Sequence, residues 1–383
     1  MLNEFLSPVN PEQFSTEDKN QIGSQVLFNP ESAEDLKGKQ IALIGVCDGR
    51  GTEGNETSYG GPDAIRKQLY QLAAAGYKTG LVDLGNIPAG NSLNDSYAAL
   101  TLVMKELMSE GILPIVLGGT QNLTLGQFAA HRGKTKINLA VVDRKIDLAP
   151  LPAETPSADN FLMNLFVESD SPLFNFCAIA YQTHFTPPHV TDTLDKLHFE
   201  SIRLGRIRDD INEVEPILRD SDVVSFDMSA VRMADAPGTF HSTPNGLTGE
   251  ESCQIARFAG LSERVKSFGI YEMNPALDVR ETTAQLAAQM LWYFIDGFHN
   301  RRNEDTMAEE QFTEYVIAIP ENDNPLSFKK SRRTERWWME VKADHADMKK
   351  PEKILVPCSY ADYQAACREE LPDRWLKAYN KLI

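Results

Sequence analysis

No stretch of the 383 residues approaches the ~18 consecutive apolar residues that a membrane helix needs. The first twenty residues also lack the basic and apolar regions of a secretory signal, so a cytoplasmic protein with no membrane partner is the expectation. Cysteine is scarce. Its five thiols, Cys47, Cys177, Cys253, Cys358 and Cys367, lie far apart with no CxxC pair, which excludes a disulfide framework and fits a reducing compartment. Basic residues are outnumbered, 38 against 55, for a net charge of −17. Residues 301–383 are nearly balanced, with 15 basic and 16 acidic groups, so the deficit falls on residues 1–300. Nucleic acid, which needs a basic face, is thereby an unfavourable partner, whereas a cationic small molecule suits such a surface.

What is present is a globular composition, 42% hydrophobic and 24% charged, which excludes disorder. Eight short continuous apolar runs recur: IALIGV (41–46), GLVDLG (80–85), ILPIVLG (112–118), INLAVVD (137–143), FCAIAYQ (176–182), SIRLGRI (201–207), DVVSFDM (222–228) and SFGIYEM (267–273). Continuity, rather than alternation, marks strands buried on both faces of a parallel sheet. Between them lie segments of helical period: GPDAIRKQLYQLAAAG with Pro62 just inside its start, SYAALTLVMKELMSEG (96–111), EESCQIARFAG (250–260) and TTAQLAAQMLWYFIDGFHNRR. The expected class is α/β, a three-layer αβα domain with an eight-stranded, mostly parallel sheet, although periodicity alone leaves a barrel open. The expected boundaries are an N-terminal extension over 1–39, the αβα domain over 40–302, and a C-terminal strand and helix addition over 303–383 packed on it, with 303–311 as a linker. In that addition Trp337 and Trp338 are adjacent, so on a strand they face opposite ways.

In an open parallel sheet, ligands bind beyond the carboxyl ends of the strands. There the sequence reads GGTQNLT (118–124), DRKID (143–147), FDMSAVRMADAPGT (226–239) and YEMNP (271–275), which places Asp143, Asp147, Asp227 and Glu272 at one sheet edge. Four carboxylates together repel and take up protons unless a metal, a cationic ligand or internal bases compensate.

These blocks, with IGVCDGRGTEGNETSYGGPDAIR (44–66), resemble in order the motifs of the ureohydrolase family of arginase, agmatinase and formimidoylglutamase, over about residues 40–300. The resemblance implies an arginase-like fold, a bridged manganese pair and hydrolysis of a guanidino or amidino carbon. Position by position, the implied ligand set is broken. Gln121 stands for the histidine of the GGxH block, Lys145 for the histidine of DxHxD, and Ser229 for the second aspartate of SxDxD. Asp143, Asp147 and Asp227 remain, and are the ligands if a metal binds. Arg232 replaces a further acid, while Glu272 matches the glutamate that orients the guanidinium group in arginases.

Lys145 decides the reading. A protonated ammonium cannot coordinate, and at ~4 Å with an effective dielectric of ~20 it repels a divalent ion by roughly 8 kcal/mol, about six decades of affinity. Lys145, helped by Arg232, is therefore expected to replace the metal's charge, with no metal cofactor. Gln121 is expected to bond Asp143 or a water. His241, beside the APGT turn, is the remaining candidate for proton transfer together with Asp147 and Glu272, while His184 and His189 read as loop residues and Cys47 as a buried structural thiol. Two functions follow. The first is a family member that has lost dimanganese amidinohydrolase catalysis and serves a binding, assembly or regulatory role, with a cationic or amidino small molecule as its ligand. The alternative is an active, formimidoylglutamase-like hydrolase with manganese in a rebuilt site. The resemblance also implies a homo-oligomer.

Overall fold

Seven of the eight apolar runs become strands buried beneath helices, and the eighth, 201–207, is divided: its first residues form a half-exposed edge strand and the rest, from Leu204, a helix. In the computed structural model, the described residues are 4–14, 18–32, 34–74, 76, 80–133, 136–149, 156–168, 171–302, 304, 309–319, 325–343 and 352–382. The main sheet contains β1 (Leu27–Phe28), β2 (Ile41–Cys47), β3 (Leu81–Pro88), β4 (Leu113–Leu117), β5 (Ile137–Val142), β6 (Leu173–Tyr181), β7 (Glu200–Arg203), β8 (Val223–Asp227) and β9 (Ser267–Tyr271). Their order is β1-β3-β2-β4-β9-β8-β5-β6-β7, and every pairing is parallel. The sheet thus has nine strands where eight were expected. The added edge strand, β1, pairs Leu27 with Val82 and comes from the segment read as an extension, being too short to carry a periodicity.

Helices α1 (Gly61–Leu69), α2 (Leu93–Ser109), α3 (Thr124–Ala129), α4 (Phe161–Val167), α5 (Pro188–Lys196), α6 (Leu204–Asp209), α7 (Val214–Arg219), α8 (Gly249–Leu261) and α9 (Thr282–His299) provide the crossovers and flanking layers. Capping boxes start two of them, Ser92 with Asp95 on α2 and Thr248 with Glu251 on α8. Helix α1 stops at Leu69, short of the Gly76 that sequence suggested, because Ile22 N–H takes the Leu72 carbonyl at 2.8 Å and Gln21 bridges Ala73. Helices α8 and α9 touch closely enough that a Cβ on Gly260 would lie 2.2 Å from the Phe294 carbonyl oxygen.

Residues beyond α9 form a second, antiparallel sheet of β10 (Phe312–Ile317), β11 (Leu326–Ser331), β12 (Trp337–Ala343) and β13 (Glu352–Cys358), followed by α10 (Tyr360–Cys367) and α11 (Asp373–Leu382). The expected linker 303–311 falls largely outside the described residues. Both tryptophans of β12 are buried, on opposite faces: Trp337 stacks on Tyr363 at 4.7 Å, and Trp338 lies under the Arg219 guanidinium at 4.2 Å. Arg219 also donates to the Trp337 carbonyl at 3.0 Å, which ties α7 to the second sheet.

The first βαβ unit is pinned by the fully buried Arg66. Its guanidinium bonds both oxygens of Asp83, at 2.8 and 2.9 Å, and the Gly85 carbonyl at 2.9 Å, while the Tyr70 hydroxyl donates to Asp83. The network is paired throughout, so removing one partner strands a buried charge. Asp83→Ala is expected to lower unfolding stability by about 3 kcal/mol or more; a urea midpoint unchanged from wild type would contradict this.

Candidate functional site

Four adjacent central strands, β4, β9, β8 and β5, deliver the site. Gln121 follows β4, Glu272 follows β9, Asp227 ends β8, and Asp143 to Asp147 follow β5. All of these carboxylates are buried, between 2% and 6% exposed, so their charges cannot rely on bulk water.

The Lys145 ammonium lies 3.0 Å from Asp147 and bonds Asp159, and its side chain is only 23% exposed, so it is folded into the cluster instead of reaching into solvent. Burial works against its charge, but Asp147 and Asp159 outweigh that and hold its pKa above the ordinary lysine value. Asp143 is the opposite case. Burial first, then Asp147 and Asp227, raise its pKa well above the carboxylate range. Its Oδ1 takes two long contacts, 3.4 Å each, from the Lys145 N–H and the Ser229 hydroxyl, and its buried Oδ2 has no donor. Asp147 contributes to that rise both through its charge and as a hydrogen-bonding neighbour. Asp227 is pushed up to about 6, by burial foremost and also by Asp147, against the Ser229 N–H at 2.6 Å and the charge of Arg144.

Glu272 is held most firmly. Its oxygens accept from Thr52 Oγ1 at 3.0 Å, Gln121 N–H at 2.8 Å and Asn55 Nδ2 at 2.6 Å, and its own N–H donates to the Gly119 carbonyl at 2.7 Å. These bonds fix a left-handed backbone, φ 65°, at a non-glycine residue, a strained geometry that clusters at functional sites. Burial, then Asp227, raises its pKa to about 8 despite the three donors.

Several expected roles change in the structure. Arg232 is not among the bases around the carboxylates: it is 42% exposed and pairs with Asp235 at 2.9 Å, a partner three residues away that captures it first. The second cation is Arg144, which is buried, lies over the Phe185 ring at 4.8 Å and acts electrostatically on Asp227 and His241. Gln121 does not bond Asp143; its amide donates to Ser225 Oγ at 3.3 Å. His241 does come within the field of the cluster, where burial, then Arg144 and Lys145, lower its pKa, so the imidazole is neutral at pH 7. His184 and His189 are exposed, and Cys47, its thiol pushed up to about 11 chiefly by burial, is no nucleophile. Thr52, Asn55, Arg144 and Asp159 were not singled out in sequence. Arg144 stood in view within DRKID, but nothing local distinguishes an inward arginine from an outward one.

A manganese pair does not fit these residues. An ammonium sits on Asp147, burial and the neighbouring carboxylates favour the protonated form of Asp143, and a backbone N–H occupies Asp227 Oδ1. Among the described residues no group of three or more His, Cys, Asp or Glu side chains is arranged to hold a metal ion.

Comparison with known proteins gives a consistent picture. The sequence profile of the arginase family matches residues 39–296, leaving the second sheet outside it. A formimidoylglutamase of Lysinibacillus sphaericus is 26% identical over 294 residues, covering 71% of this chain and 88% of the relative. Among solved structures, formimidoylglutamase from Bacillus subtilis superposes with a TM-score of 0.66 at 20% identity, over 75% of this chain and 95% of that one. Trypanosoma cruzi formiminoglutamase with Mn2+ gives 0.64 at 20% identity, over 72% and 98%.

Two outcomes are expected from the electrostatics. Lys145→Ala should destabilise by about 3 kcal/mol, since the carboxylates lose their counter-charge; equal denaturation midpoints would contradict it. Glu272 binds its proton up to about pH 8 when folded, against 4.5 ordinarily, so its contribution to stability falls as pH rises from about 4.5 to 8. Glu272→Gln should flatten that part of the stability profile, and a profile as steep as wild type would show that another group titrates there.

Proposed function

The chain belongs to the arginase family, and from that premise we propose that it is a member without dimanganese amidinohydrolase catalysis, serving a binding, assembly or regulatory role. The observation that carries this reading is the Lys145 ammonium 3.0 Å from Asp147, at the place where the family motif has a metal-binding histidine. In this chemistry a metal pair supplies the activated water, and water without a metal keeps a pKa near ~15.7. The chain's own candidates do not replace it. Glu272 is committed to three donors, and His241, whose lowered pKa leaves it able to accept a proton, has no activated nucleophile to serve. With the Glu272 oxygens already taken by donors, Asp227 is the carboxylate left to receive a cationic or amidino group, and the cleft is read as binding such a molecule without turning it over. The family resemblance carries the reading as a homo-oligomer, and the free thiols among the described residues support the reading of a reducing compartment.

A second reading is favoured by the names of the relatives, which are formimidoylglutamases over most of their length. On it, the chain hydrolyses a linear amidine with manganese held by Asp143, Asp147 and Asp227, and the cluster rearranges to expel Lys145. Assays discriminate the two. With manganese supplied and urea, ammonia and formamide followed, the first reading expects no metal-dependent turnover of arginine, agmatine or formimidoylglutamate, and none in Lys145→His, where Gln121 and Ser229 remain. Turnover near ~1 per second, abolished by chelator, would establish the second.

A further inference from the structure

Buried arginines in this fold spend their donors on partners. Arg66 bonds Asp83, Asp63, Asn86 and the Gly85 carbonyl, and Arg374 pairs with Glu200 at 3.0 Å. Arg144 is the exception. It is only 8% exposed, yet among the described residues its guanidinium makes no hydrogen bond and no ion pair: its Nε is buried without an acceptor, and the group rests on the Phe185 ring at 4.8 Å. A guanidinium carries five N–H donors, and leaving buried donors unmade costs more than pairing them gains.

The backbone that carries it is fixed. Arg144 follows β5, and its carbonyl accepts the Gln182 N–H at 2.8 Å, which holds the loop after β6 against it. In that loop Phe185 backs the guanidinium, and the next residue, Thr186, is 5% exposed with a hydroxyl that also has no partner. Stacking on a ring leaves the donor edge of the guanidinium free. Strands β5 and β8 pair Val142 with Phe226, so Arg144 and Asp227 leave adjacent strands, roughly 5 Å apart in a sheet. The charge of Arg144 reaches Asp227 and His241 through space. Lys145, which acts on the same half-buried His241, has a side chain 23% exposed, so this side of the cluster is the one open to solvent.

We infer that Arg144 is a recognition residue of the cleft: its guanidinium, with the Thr186 hydroxyl, takes a carboxylate borne by the same ligand whose cationic end meets Asp227. The inference rests on the binding role proposed above and narrows its ligand to a molecule that carries both charges. A planar donor fork matches the two oxygens of a carboxylate. The charges already present set the valence of the anion. Asp147, Asp159 and Asp227 stand against Lys145 and Arg144, so a dianion such as phosphate is repelled, whereas a carboxylate that arrives with its own cation leaves the total unchanged.

Arginine and agmatine differ by one carboxylate, and titration calorimetry of each into the full chain tests the inference. Arginine is expected to bind at least tenfold more tightly than agmatine. That ratio should fall to about one in Arg144→Met, and should shrink in Thr186→Val and in Arg144→Lys, which keeps the charge without the fork. A preference for arginine that survives in Arg144→Met would overturn the inference, as would acetate alone displacing arginine at equal concentration, which would make the site one for a free anion. Equal affinities in the wild type, with both weakened by Asp227→Asn, would overturn the inference and leave the binding role standing; no saturable binding of either compound would overturn both. If Arg144→Met does not fold, Thr186→Val and Arg144→Lys decide, and an unchanged ratio in both counts against the inference.

Discussion

The contact between the Lys145 ammonium and Asp147 organises the whole carboxyl edge of the sheet, because a parallel α/β sheet that ends four adjacent strands in acids must neutralise them. Here the neutralisation is internal and divided three ways. Lys145 bridges Asp147 and Asp159, Arg144 opposes Asp227, and burial beside two further carboxylates favours the neutral form of Asp143. Each device uses up a carboxylate oxygen that a metal would need. The same loops that carry these groups also close over them: Gly51 N–H reaches Thr120 Oγ1 at 3.2 Å, and Thr52 and Asn55 reach across to Glu272. The loop after β2 is thus bound to the loops after β4 and β9.

Much of this was legible in the residues. Continuous apolar runs locate seven of the strands because burial on both faces leaves no alternation to confuse with a surface strand, whereas the run at 201–207 is strand only at its start, since it lies at the sheet edge. Strand-end acids locate the edge, since topology alone places them there. The missed parts share one cause, dependence on partners distant in sequence. Edge strand β1 exists because Leu27 and Phe28 meet Val82 and Asp83, and α1 stops where the N-terminal segment takes its carbonyl. Arg232 and Arg144 carry the same charge, and only the fold decides that the first meets Asp235 while the second turns inward over Phe185. Glu272 was visible, but its donors Thr52 and Asn55 lie 220 and 217 residues away in the chain.

On the proposed reading, fold and chemistry separate in this protein. The domain matched by the arginase family has the parallel sheet and its crossovers, and Glu272 with its left-handed backbone lies within it. Catalysis resides in the ligands grafted on it, and three of those positions carry Gln121, Lys145 and Ser229. The second sheet, outside the family match, is joined to the domain by Arg219 under Trp338 and by Arg336, which reaches Glu215 at 3.0 Å and Glu304 at 2.9 Å. Charged groups therefore set its seat as much as apolar ones do, and their bonds to fixed carbonyls give it one orientation.

The central claim, that internal cations stand where a metal's charge would be, is tested most directly by the manganese content of the full chain after equilibrium dialysis against manganese, read by elemental mass spectrometry. The account predicts well under one bound ion per chain at concentrations that saturate an intact bridged pair, and no change in the Lys145→Ala protein large enough to reach two, because Gln121 and Ser229 still leave the ligand set short. Two manganese ions per wild-type chain would contradict it outright.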